Sequence, residues 1–167
     1  MNKVYYKAIR IFTIMLLTLS TMFAQHFELS INLPQGIIYQ NTLGYFQGGV
    51  ELSAHYSIPA KNFTSSFGID ARTVQWGSQV SVSSRLSKTI VKNFEIEAEL
   101  QNGLALFNKK PLYVYSVGLT GRYFIIKSEK TALGIYVGGR FTQCPAYSRY
   151  GSIDHIFEIP IGVFISF

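Results

Sequence analysis

The chain has little of what usually stabilises a small exported domain or equips a small enzyme. Its 167 residues include one cysteine, Cys144, so no internal disulfide can form. There are three histidines, His26, His55 and His155. No pair of them has helix or turn spacing for metal ligation, and Cys144 stands alone, so no metal site is expected. No glycine-rich phosphate loop occurs, and no cofactor motif is found. Gly48-Gly49 and Gly138-Gly139 fall inside alternating segments, where glycine marks a bulge, a bend or close packing. Charge is scarce too, at 14% of residues. The formal charge is +6, but Lys3, Lys7 and Arg10 lie at the N-terminus. Without them 12 basic residues face 9 acidic ones, which is too mild for a nucleic-acid partner. Long apolar runs are missing. The longest, Ile11–Leu19, falls short of the ~20 residues that a spanning helix needs. An integral contact with a membrane would have to be made by strands.

The N-terminal segment has its own pattern. Lys3, Lys7 and Arg10 precede the apolar run, and Ala24 follows it. A basic flank, a short apolar core and a small residue describe a secretory signal peptide over 1–24. Cleavage there leaves 25–167 as one domain. No cysteine lies near the cut, so a lipid-anchored N-terminus is not expected.

What the rest of the chain has is alternation. Eight segments place apolar residues at every second position, the period of a strand. They lie at about 26–34, 46–58, 63–74, 78–87, 94–106, 112–126, 131–142 and 153–167. In the fifth, Phe94, Ile96, Ala98 and Leu100 oppose Glu95, Glu97, Glu99 and Gln101. Aromatics make up 15% of the chain, mostly Phe and Tyr, which suit strands. Phe27, Tyr56, Phe63, Phe94, Tyr123 and Phe167 fall at one set of segment ends. Tyr45, Phe46, Tyr113, Phe141 and Phe157 fall at the other.

Charge sorts by face. The apolar face of the segments carries none. The other face carries Glu28, Glu51, Asp70, Arg72, Arg85, Glu95, Glu97, Glu99, Arg122, Arg140 and Glu158. Every lysine after residue 24 is expected in a connection: Lys61, Lys88, Lys92, Lys109, Lys110, Lys127 and Lys130. A polar face turned to water normally includes lysine. Carboxylates with arginines make bidentate bonds in confined spaces, so these residues are expected to point inward. Turn-rich connections at 59–62, 88–93 and 127–130 alternate with longer ones at 34–45 and 143–152 and shorter ones near Trp76 and at 108–111. Short turns at one end, longer loops at the other and an even strand number describe a transmembrane barrel.

The final residues, Pro160-Ile-Gly-Val-Phe-Ile-Ser-Phe167, add a motif. Gly162, Ile165 and Phe167 resemble the C-terminal signal of Gram-negative outer-membrane β-barrels, Gly-x-x-apolar-x-aromatic. Pro160 departs from the polar residue favoured there. The chain from 26 to 167 thus resembles the small, eight-stranded outer-membrane β-barrel proteins: all-β, a single up-and-down antiparallel transmembrane barrel. The resemblance implies residence in the outer membrane among its lipids, recognition of the C-terminal strand by the barrel-assembly machinery, and a structural or surface-interaction role. A monomer is expected.

Eight strands leave an interior about filled by side chains, with no open pore. The Glu95, Glu97 and Glu99 ladder calls for compensation by Arg85 and Arg122 on neighbouring strands, and Arg140 is expected to pair with Glu158. An extracellular partner, if any, would meet Tyr39, Trp76, Tyr147, Arg149 and Tyr150 on the outer loops, where Tyr and Arg suit binding surfaces. Two alternatives remain. One is a lipid A-modifying enzyme using Ser152, Asp154 and His155. The other is a soluble periplasmic β-barrel binding a small apolar ligand, which needs the apolar face inside.

Overall fold

The computed structural model describes residues 27–40, 43–74, 77–107, 110–128, 131–143 and 155–167, with side chains undescribed at 36–47, 74, 107, 110 and 155. The signal segment 1–24, Trp76, Tyr147, Arg149, Tyr150, Ser152 and Asp154 lie outside these residues. The described chain forms eight strands: β1 (Phe27–Gln40), β2 (Leu43–Pro59), β3 (Thr64–Val74), β4 (Gly77–Val91), β5 (Phe94–Phe107), β6 (Lys110–Lys127), β7 (Ala132–Gln143) and β8 (His155–Ser166). Each pairs antiparallel with the next, and β8 pairs with β1, so the sheet closes without an edge. Closure is sealed at the chain ends. Phe167 N–H donates to the Phe27 carbonyl at 2.9 Å, and Phe27 N–H donates back at 3.3 Å.

The register gives the barrel its slant. Crossing from Glu28 to His55, Gly68, Ser83, Gln101, Ser116, Thr142 and Ile156 returns to β1 at Ile38, ten residues from the start. Strand number and stagger together fix tilt and diameter, and an eight-stranded interior is just wide enough for side chains to fill.

Alternation then decides what faces where. Val82, Leu119, Ile69, Val80 and Ile125 are all more than half exposed on the outer face. Glu51, Asp70, Arg72, Gln79, Gln101 and Glu158 are buried inside. A protein dissolved in water with this polarity would expose its whole apolar surface. In hydrocarbon the same arrangement is favourable, because every ladder hydrogen bond closes on another strand and the outer face is greasy. Among the described residues no helix is long and apolar enough to cross a membrane.

Several boundaries differ from the sequence expectation. Residues 34–45 are largely strand. β1 continues through Gln40, paired with β2 from Gln35–Gly48 to Gln40–Leu43 and with β8 from Gln35–Ile159 to Tyr39–His155. Ladders on both sides override the breaker signals of Pro34 and Gly36. Pro34 faces Pro160 across the β1–β8 seam. Antiparallel pairs alternate between exchanging hydrogen bonds and pointing their N–H groups away. Two prolines fit the second kind, and the gaps appear on their far sides. The β1–β2 ladder skips from Asn32 to Gln35, and the β7–β8 ladder skips from Val137 to Arg140. With β1 and β2 extended, the links between strands at the end away from the termini are 41–42, 75–76, 108–109 and 144–154, so only one is long. Lysines also reach into strands: Lys88, Lys110 and Lys127 lie at strand ends rather than in connections. A bulge between Phe124 and Ile126 turns both Ile125 and Ile126 outward.

Candidate functional site: the charged interior

The interior charges come from all eight strands and meet in the lumen. Directly opposed ladder partners do not always bond. Arg140 faces Glu158 in the register, but its guanidinium crosses the lumen to Glu51, at 2.6 and 2.9 Å. It also donates to Glu99 at 3.0 Å and stands 3.9 Å from Glu158. The expected Arg140–Glu158 pairing is therefore secondary. A long side chain in a narrow barrel reaches the far wall as easily as its neighbour. Arg72 takes Glu158 instead, at 2.6 Å, with its Nε on Gln79 at 2.9 Å.

Around Arg85 the arrangement is denser. Its Nε donates to Glu99 at 2.8 Å and lies 3.8 Å from Glu97. Its terminal nitrogens meet Glu28 at 3.4 Å and Asp70 at 3.3 Å. Arg122 donates to Glu97 at 2.9 Å and to Glu28. Glu95 separates from the rest of the ladder: it sits at the mouth near the chain termini, bonded to Lys127 at 3.1 Å and Thr89 at 3.0 Å.

His55 enters this cluster because of a missing side chain. Gly68 lies opposite His55 on β3, and a Cβ there would overlap the Ala54 carbonyl and the imidazole ring. The ring therefore passes over Gly68 to Ser83 on β4, with Nε2 and Oγ 2.6 Å apart. Asp70 Oδ1 lies 3.6 Å from the same nitrogen. Sequence spacing suggested no metal ligands, yet the barrel brings donor atoms of His55, Asp70 and Glu99 within 4.8 Å of one another. They sit on three strands, so no linear motif records them.

An apolar plug was also missed. Phe124 and Phe164 point inward and meet edge to face, with centroids 5.2 Å apart. The Arg122 guanidinium stacks 4.0 Å from the Phe164 ring centroid. The parity of Phe164 with Glu158 on β8 was the available signal. Beyond the plug, a vestibule of about 350 Å³ opens at the mouth, lined by Glu28, Glu95, Arg122, Lys127 and Ser87 among others.

The remaining sequence candidates fall as follows. Gly162 faces inward and makes room for the Tyr136 ring. Ile165 pairs with Leu29 and Leu133, and Phe167 closes the barrel on Phe27. Tyr39 and His155 lie on β1 and β8.

No protein-family model and no curated protein sequence matches the chain. Solved structures do. Neisserial surface protein A (NspA) aligns with a TM-score of 0.55 at 9% identity, over 84% of this chain and 97% of that one. Ail, the attachment invasion locus protein of Yersinia pestis, solved with the heparin analogue sucrose octasulfate, aligns with a TM-score of 0.52 at 12% identity, over 83% of this chain and 97% of that one. Both are small eight-stranded outer-membrane β-barrels of Gram-negative bacteria. At these identities the likeness is one of fold. The closed eight-stranded antiparallel barrel, apolar outside and charged within, is the architecture of that class.

Proposed function

We propose that the protein is an integral outer-membrane barrel, exported through cleavage of residues 1–24, that scaffolds surface segments and conducts nothing. The observation that supports it most is the polarity of the wall. Large apolar side chains cover the outside, and interlocked carboxylates and arginines fill the inside. A general diffusion channel needs a water-filled lumen, which strand counts well above eight provide. Here four arginines bridge the lumen among the described residues. Gly162, Ile165 and Phe167 on the closing strand serve as the address for the assembly machinery. Work at the surface falls to the segment 144–154 and to Tyr39, Trp76, Tyr147, Arg149 and Tyr150, with an extracellular partner as their target. Ail, a similar barrel, was solved in complex with the heparin analogue sucrose octasulfate.

The soluble barrel with an apolar lumen fails on polarity, since the charged residues are the buried ones. No described geometry supports the lipid A-modifying enzyme. The test is expression of the full chain in a Gram-negative host, envelope fractionation, and a gel of the outer-membrane fraction with and without boiling. The protein is expected in that fraction with mobility that changes on heating. Recovery in the soluble periplasm, with mobility indifferent to boiling, would refute the reading.

A further inference from the structure

The interior does not balance. Among the described residues, six buried carboxylates face inward (Glu28, Glu51, Asp70, Glu97, Glu99 and Glu158) against four arginines. The deficit is local. Arg72 and Arg140 satisfy Glu51 and Glu158. Arg85 and Arg122 are left with Glu28, Asp70, Glu97 and Glu99, four negative charges against two positive ones. A surplus of two charges in a space closed to bulk water is costly unless something positive joins it. Glu95 does not add to it, because Lys127 neutralises it at the mouth.

A second observation places the missing charge. Two side chains beside Arg85 have buried atoms with no hydrogen-bond partner, Asp70 Oδ2 and His55 Nδ1. Both residues are almost wholly buried, and both belong to the group whose donor atoms already lie within 4.8 Å of one another. We propose that His55, Asp70 and Glu99 hold one divalent cation inside the barrel, which supplies the two positive charges this cluster lacks. An imidazole with two carboxylates suits a zinc-type ion, with the Ser83 hydroxyl beside His55 as a further oxygen. Arg85 and Arg140 each donate to one oxygen of the Glu99 carboxylate and orient it, as outer partners commonly do for metal-binding carboxylates. Closure onto the ion draws the donors together, because zinc bonds are about 2.0–2.2 Å long. The vestibule at the mouth reaches Glu28 and Arg122, two members of this cluster.

The test uses the full barrel folded in detergent, stripped with a chelator, loaded with Zn²⁺ and freed of excess by gel filtration. Elemental analysis then counts zinc per chain, and the heat-modifiable band reports folding. The wild type is expected to retain about one zinc per barrel and to need more heat to lose its compact mobility. His55→Gln and Asp70→Asn are expected to retain none, while Glu95→Gln at the mouth keeps its ion. X-ray absorption on the zinc-loaded wild type needs no variant to fold, and should show imidazole and oxygen ligands. A wild type that binds no zinc would overturn the proposal and assign the balance to two protons. Equal retention in all variants, or a shell with sulfur from Cys144, would overturn it as adventitious binding.

Discussion

Removing Arg140 should destabilise the barrel by several kcal/mol. Arg140 donates to both oxygens of Glu51, at 2.6 and 2.9 Å, and to Glu99 at 3.0 Å. Arg140 is 2% exposed and Glu51 fully buried. In Arg140→Met the aliphatic stem remains, but Glu51 loses its only arginine partner within salt-bridge distance among the described residues. Breaking a buried pair from one side typically costs 3–5 kcal/mol, because it strands a charge. Replacing both partners costs far less, since no stranded charge remains. Arg140→Met with Glu51→Gln should therefore recover at least half the loss, roughly 2 kcal/mol. The assay is urea unfolding of the barrel in detergent, read from the compact band on an unboiled gel. Loss of less than about 1 kcal/mol in the single variant would refute the claim that this bridge spans a closed, dry lumen. So would a double variant no better than the single.

Gly68→Ala should destabilise by about 1–3 kcal/mol, because its Cβ would overlap the His55 ring and the Ala54 carbonyl, as chemical unfolding would show. Gly48→Ala, whose Cβ would meet the Gln35 side chain at 3.4 Å, should be mild in the same assay. Lys127→Met removes a bridge to Glu95 from a side chain 39% exposed and should change stability by under about 1 kcal/mol. Leu119→Arg, on the outer wall, should cost about 2–4 kcal/mol in bilayers if the residue sits near the midplane. Unfolding in lipid vesicles, with Lys61→Arg in the turn as the neutral control, measures it.

The barrel was legible because period two leaves its mark in every segment, and because carboxylates alternate with aliphatics on strands such as β5. Strand ends were less legible. Pro34 and Gly36 read as a loop, and only pairing with β2 and β8 together keeps that stretch extended. The partners of Arg140 were illegible for another reason. A sequence shows which residues are ladder neighbours, and Glu158 is one, but not which side chains meet across a lumen. His55, Asp70 and Glu99 converge on the same account, with Gly68 as the one local clue. Phe164 shares its parity with Glu158, so its inward direction was written in the strand, although nothing in the sequence says that it stacks with Arg122.

The central claim is that the apolar wall meets hydrocarbon. Tryptophan placed at Ile69 or Leu119, mid-strand and outward, in a Trp76→Phe background and reconstituted with lipids brominated along their chains, tests it most directly. The account predicts strong quenching at both positions and weak quenching at Asn62 in the turn between β2 and β3. Unquenched emission at Ile69 and Leu119, equal to that at Asn62, would mean that the wall lies outside the bilayer and would contradict it.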